Sequence, residues 1–133
     1  MASIEEKNKE LAREFLGVLT HADAKRADEL CDEEVEFWVA GSLPFSGSRT
    51  KAEALEGLVG VPDLFPEGLA FSITAMTAEE DRVAIEASGQ GRTSSGTFYQ
   101  QEYHFLLLAR DGKVLQWREY FDTERAREDL VGE

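Results

Sequence analysis

The sequence holds a single cysteine, Cys31, so no disulfide can form within the chain and cysteine usage does not point to an oxidising compartment. Histidine is almost as scarce. His21 and His104 lie far apart, without H-E-x-x-H or Cys–His spacing, and no metal site is predicted. Basic residues are outnumbered, with 14 Lys and Arg against 27 Asp and Glu, for a formal net charge of −13. The positive charges, among them Lys51, Arg82, Arg92, Arg110, Lys113 and Arg118, are scattered. The clustered basic surface that phosphate binding needs is missing, which excludes nucleic acid and anionic membrane as partners. The longest apolar stretch, Phe105 to Ala109, is far too short to span a bilayer. The start, MASIEEKNKE, is acidic and helical in pattern, with no basic segment followed by an apolar one. This predicts no export signal and a cytoplasmic protein.

Nucleotide and nucleophile motifs are lacking too. Gly89 and Gly91 form a G-x-G that precedes no helix and lacks the rest of a dinucleotide fingerprint. Ser46 sits in F-S-G rather than in the G-x-S-x-G of a nucleophile elbow. No cofactor is expected.

What is present is a globular composition, 42% apolar and 31% charged over 133 residues, enough for one domain spanning 1–133 with its own core. Ser3 and Glu6 read as a capping box opening a helix striped with Ile4, Leu11, Phe15 and Val18 or Leu19, which ends near His21. Asp23 caps a shorter helix with Ala27, Leu30 and Cys31 on one side. A strand follows from Val35 to Ala40, then the loop GSLPFSGS. Thr50 and Glu53 make a second capping box for a helix with Leu55, Leu58 and Val59 inward. Beyond Pro66 the period changes to two. Leu69, Phe71, Ile73 and Ala75 alternate, then Val83, Ile85 and Ala87 after a turn at Glu79–Asp81. A long strand from Phe98 to Ala109 comes next, and Asp111-Gly112 gives the strongest hairpin signal in the chain. The last strand runs to Phe121, and Thr123 caps a helical tail. Helices early and a strand meander late predict an α+β fold, a curved antiparallel sheet wrapped around the N-terminal helices. Such a cone-shaped arrangement leaves an internal pocket at its open end.

The final strand carries one residue that does not fit. Alternation puts Leu115, Trp117, Glu119 and Phe121 on the core face. Burying a bare carboxylate costs several kcal/mol, roughly, unless it is hydrogen-bonded or its pKa rises. A carboxyl group in an apolar cleft with a pKa near neutrality is what general acid–base chemistry requires. If Glu119 instead pairs with an arginine or a backbone donor, or sits at a wet rim, its role is structural. The adjacent strand offers Gln101 and Tyr103 on one parity, as partners for Glu119 or for a ligand. Its other parity, which includes His104, is no more polar, so this strand reads as covered on both faces. Trp38, Trp117 and Phe121 are candidates to line the pocket, with core filling as the alternative for Trp38. The glycines that end the Val83–Gly91 parity fit either a cavity or a bend.

The element order, with the stretches ARDGKVLQWREYFDT and FWVAGSLPFSG, resembles the nuclear transport factor 2-like superfamily in its SnoaL-like and ketosteroid-isomerase-like branch, with limonene-epoxide hydrolase as a cousin. The resemblance implies a conical fold, a deep pocket, no metal, and a homodimer formed through the sheet. It puts Glu119 at the position of a catalytic acid. The hydrolase's other Arg and Asp fall at Ala87 and Gly89, its Tyr and Asn near Phe37 and Val39, and the isomerase's Asp near Trp38. Those departures count against epoxide hydrolysis and steroid isomerisation. The expectation is a pocket for a small hydrophobic molecule, with catalytic residues Glu119 and Tyr103 in an isomerase- or cyclase-like reaction on a carbonyl compound. Ligand contacts are expected from Trp38, Gln101, Trp117 and Phe121. A non-catalytic binding protein and a dimeric interaction module are the alternatives.

Overall fold

The computed structural model describes residues 2–132. Helix α1 (Ile4–His21) starts where Ser3 Oγ accepts the Glu6 amide hydrogen, and it buries Leu11, Ala12, Phe15, Leu16 and Val18 along one stripe. Phe15 is wholly buried between Phe37 and Trp117, with ring centroids 6.0 and 4.8 Å away. A phenylalanine buried this completely contributes about 1.5–3 kcal/mol. Asp23 caps α2 (Ala24–Leu30).

Strand β1 (Cys31–Val39) begins earlier than the sequence pattern indicates, and Cys31 is its first residue rather than a helical one. A three-residue strand, β2 (Gly47–Arg49), interrupts the stretch read as loop. Helix α3 (Lys51–Val59) opens on the reciprocal Thr50–Glu53 capping box. Leu58 faces inward, but Val59 is 65% exposed, because it lies past the stripe that meets the sheet. A short turn of helix, α4 (Val61–Leu64), leads to the meander of β3 (Ala70–Glu79), β4 (Arg82–Arg92), β5 (Phe98–Arg110) and β6 (Lys113–Phe121). The β5–β6 turn has positive φ at both Asp111 and Gly112, as the hairpin signal requires. Asp122, not Thr123, caps α5 (Thr123–Ala126), and a π-helical turn (Arg127–Val131) follows.

The six strands form one sheet in the order β2-β1-β6-β5-β4-β3. It is mixed rather than wholly antiparallel, because β6 comes back from β5 to lie parallel to β1. Two bulges shift the inward set. After Ile73 the register of β3 slips, so Ala75 falls opposite the exposed Glu86 while Met76 and Ala78 join Phe71 on the core side; Ile73, paired with the buried Ala87, is 37% exposed because β3 is the edge strand. Leu115 is the unpaired residue of the other bulge, which puts Val114 rather than Leu115 in line with Trp117. Strand β5 is covered on one face only. Its buried set runs Tyr99, Gln101, Tyr103, Phe105, Leu107 and Ala109, while His104 and the rest of its polar neighbours stay outside. No helix among the described residues is long and apolar enough to cross a membrane.

Candidate functional site

Between the helices and the concave face of the sheet lies a cavity of about 350 Å³. That is within the range of small-molecule sites and leaves room for roughly a dozen waters. Most of its wall is hydrocarbon, from residues such as Leu19, Phe37, Val39, Leu58 and Phe71. Three lining residues carry polar chemistry: Arg49 on β2, Tyr103 on β5 and Glu119 on β6.

Glu119 gets there by the two-residue period of β6, flanked on its own face by Trp117 and Phe121. It keeps part of its accessible surface, and it is a wall residue of the cavity. Trp117, two positions earlier and fully buried, donates its indole Nε1–H to Glu119 Oε1 at 3.1 Å. Burial raises the Glu119 pKa to about 6, against the opposing pull of the Trp117 hydrogen bond and the Arg49 charge. A carboxyl group so tuned is ionised at neutral pH yet basic enough to take a proton, and it can return one.

Tyr103 is buried, with its ring stacked on Phe105 at 5.1 Å and edge-on to Phe71 at 5.3 Å. Burial, aided by Tyr99 and Glu119, lifts its pKa well above the ordinary phenol value. It therefore stays a neutral donor.

The four residues expected to contact a ligand lie elsewhere. Trp38 shares the outer face of the sheet with Arg118, whose guanidinium lies 4.0 Å from the indole centroid, and with Tyr120. On β1 it is Phe37 and Val39 that face the cavity. Gln101 is buried, and its amide is engaged by the protein itself. Nε2 donates to the Tyr99 hydroxyl and to the Asp122 carbonyl, while Oε1 accepts from the amides of Asp122 and Glu102. It clips the end of β6 to β5. Trp117 stands behind the wall and holds Glu119. Phe121 packs on Tyr103 at 5.4 Å and joins the main core to a smaller one around Phe65 and Tyr99.

The glycines of β4 do not open space. A Cβ on Gly89 would meet Tyr103 Cε2 at 2.7 Å and Phe71 Cε1 at 3.1 Å, and one on Gly91 would meet the Gly68 carbonyl at 2.6 Å. These are close approaches. Cys31 is buried away from the site, and burial pushes its thiol up to about 12, which leaves it unreactive. Among the described residues no group of three or more His, Cys, Asp or Glu side chains is placed to hold a metal ion.

Arg49 is the functional candidate that the sequence pattern hides. It follows a Gly/Ser-rich loop, and only pairing of the brief β2 with β1 turns it inward.

A six-stranded sheet curled over three helices, with a carboxyl group in the apolar hollow, defines the cone of the nuclear transport factor 2-like class. Residues 12–117 match the family model of the SnoaL-like domain. The chain belongs to the SnoaL-like family, and its fold is that of solved nuclear transport factor 2-like proteins. A PhzA/B-like protein of Pseudomonas aeruginosa, itself uncharacterized, is 32% identical over 133 residues, covering 93% of this chain and 90% of that one. PrhC from Penicillium brasilianum superposes with a TM-score of 0.87 at 21% identity, over 97% of this chain and 89% of its own. TerC, co-crystallized with polyporic acid, gives 0.81 at 21% identity, over 94% and 98%. At these identities the structural likeness speaks for the fold.

Proposed function

We propose that the protein is a cofactor-independent enzyme that moves a proton on a small, mainly apolar carbonyl compound, in an isomerase- or cyclase-like reaction with Glu119 as acid and base. One observation carries this reading: a carboxyl group with a pKa of about 6 on the wall of an apolar cavity. As the carboxylate, Glu119 takes a proton from the carbon beside a carbonyl. The C–H electron pair becomes a C=C bond, and the carbonyl oxygen takes up the negative charge. Tyr103, held as a neutral phenol with its hydroxyl against that of Tyr99, would turn its O–H from Tyr99 to that oxygen. The protonated Glu119 then returns its proton to another carbon, which gives isomerisation. In a ring closure the enolate carbon attacks a second carbonyl, and the resulting alkoxide takes the proton. Neither route needs an oxidant or reductant. The polyporic acid in TerC supports a site for a ligand of modest size in this fold.

The test does not need the natural substrate. Aromatic and terpenoid carbonyl compounds are incubated with the protein in D₂O, and deuterium uptake is read by mass spectrometry. The wild type should exchange protons beside the carbonyl of the compounds it accepts. Glu119→Gln should lose roughly 10²- to 10⁴-fold of that rate. A variant that exchanges as fast as the wild type sinks the proposal.

A binding protein without turnover is the second reading, favoured by the largely hydrocarbon wall. It is recognised by ligand binding with no deuterium uptake. An interaction module without a ligand is favoured less, because the cavity is open rather than filled. The proposal includes a homodimer through the outer face of the sheet, where Trp38, Arg118 and Tyr120 stack and Phe98 is half exposed.

A further inference from the structure

Arg49 is the one basic residue among those lining the cavity. Its place follows from strand register. Arg49 pairs with Phe37 across β2–β1, and Phe37 pairs with Trp117 across β1–β6, so the three side chains share a row on the concave face. Glu119 lies in the next row, opposite Val39. Two strand spacings across and two residues along put the Arg49 and Glu119 Cα atoms about 12 Å apart. The rings and methyls of Phe37 and Val39 lie between them.

The guanidinium is held but not used up. Its Nη1 donates to the Phe45 carbonyl at 2.5 Å, which accounts for one of the five N–H donors an arginine carries. Arg13, Arg26, Arg82 and Arg110 all sit within 4 Å of a carboxylate, in a chain with a large acid excess. No such ion pair involves Arg49 among the described residues, nor Arg92, Arg118 or Arg125, but of these four only Arg49 lines the cavity.

A ligand that fills the cavity strips water from that guanidinium. A neutral apolar molecule would leave its N–H donors unpaired in a hydrocarbon wall, at a cost that selects against it. A carboxylate would accept two parallel N–H bonds from the fork. It would also be turned away from the like charge of Glu119.

We infer that the ligand is a small apolar molecule bearing a carboxylate, bound with that carboxylate on Arg49 and its carbon skeleton laid over Phe37 and Val39 towards Glu119. Arg49 is then the residue that sets specificity and orientation. The inference rests on the cavity being the working site proposed above, and it names the substrate class.

Paired probes test it, with 2-naphthoate and its neutral amide 2-naphthamide titrated against the whole protein by calorimetry. The wild type should bind naphthoate roughly 10- to 100-fold more tightly than the amide, the range expected of a charge-assisted pair. Arg49→Met should remove that preference and leave amide binding in place. Arg49→Lys keeps the charge without the fork. It should weaken naphthoate several-fold with the amide unchanged, and it decides the matter if the Met variant does not fold. Equal affinities in the wild type, absence of naphthoate binding, or variants that weaken both probes alike overturn the inference. Those failures leave the deuterium-exchange result with Glu119→Gln untouched. Carboxylate selectivity without exchange would instead keep the Arg49 assignment and discard the enzyme.

Discussion

At Glu119 the cost of burial and the chemistry it makes available have the same origin. Lifting a carboxyl pKa from 4.5 to about 6 means that the folded protein holds the proton more tightly than the unfolded chain does. As pH rises, the unfolded chain gives up this proton first, so the Glu119 contribution to stability falls between about pH 4.5 and 6 and is level above that. The loss amounts to roughly 2 kcal/mol at pH 7. Glu119→Gln removes the charge and keeps an oxygen to accept the Trp117 hydrogen. Its melting temperature should match that of the wild type near pH 4 and exceed it by several degrees at pH 7. Scanning calorimetry across that range checks this. A variant less stable at pH 7 would mean that the carboxylate is comfortable where it sits. Asp32 titrates the other way: the Glu34 amide and the Arg110 guanidinium hold its pKa down, so its contribution is lost on acidification.

Among the elements, the anomaly on β6 was legible because a charged residue stood between two aromatics at strict period two. The hairpin that delivers β6 was legible from Asp111-Gly112. The bulges were not. Each inserts one residue whose only signature is a shift of pairing with its neighbouring strand, so strict alternation puts Ala75 and Leu115 on the wrong face. Strand β1 defeated the parity argument for another reason: Phe37 and Trp38 are both large aromatics, and composition does not say which faces in. Arg49 was hidden because β2 has three residues and takes its orientation wholly from β1. Gln101 was placed on the correct face, but its amide answers to the backbone of Asp122. At Gly89, the reading as vacant space gives way to two rings in close contact, and this has a measurable consequence. Gly89→Ala should cost about 1–3 kcal/mol by overpacking against Tyr103 and Phe71. Urea unfolding measures that cost, and an unchanged midpoint would show that the rings yield freely.

For the whole molecule, the acid excess keeps copies apart while the outer face of the sheet offers aromatic surface to join them. Tyr120 is 38% exposed beside Arg118 and Trp38, and Phe98 is 50% exposed on the neighbouring strand. Sedimentation equilibrium should give twice the chain mass. Tyr120→Glu, which sets a charge in the middle of that surface, should give the chain mass alone with the deuterium-exchange activity of the cavity still measurable. A wild type that sediments as a single chain would remove the homodimer from the proposal.

The parallel seam between β1 and β6 also fixes an order of events. Residues 31–39 leave the ribosome long before residues 113–121, yet the seam needs both. Until the last strand arrives, β1 and β5 each present a bare edge, and the hollow has no carboxyl group on its wall. Contacts this distant in sequence form slowly. The chemistry proposed for the cavity becomes available only when the final hairpin closes the gap.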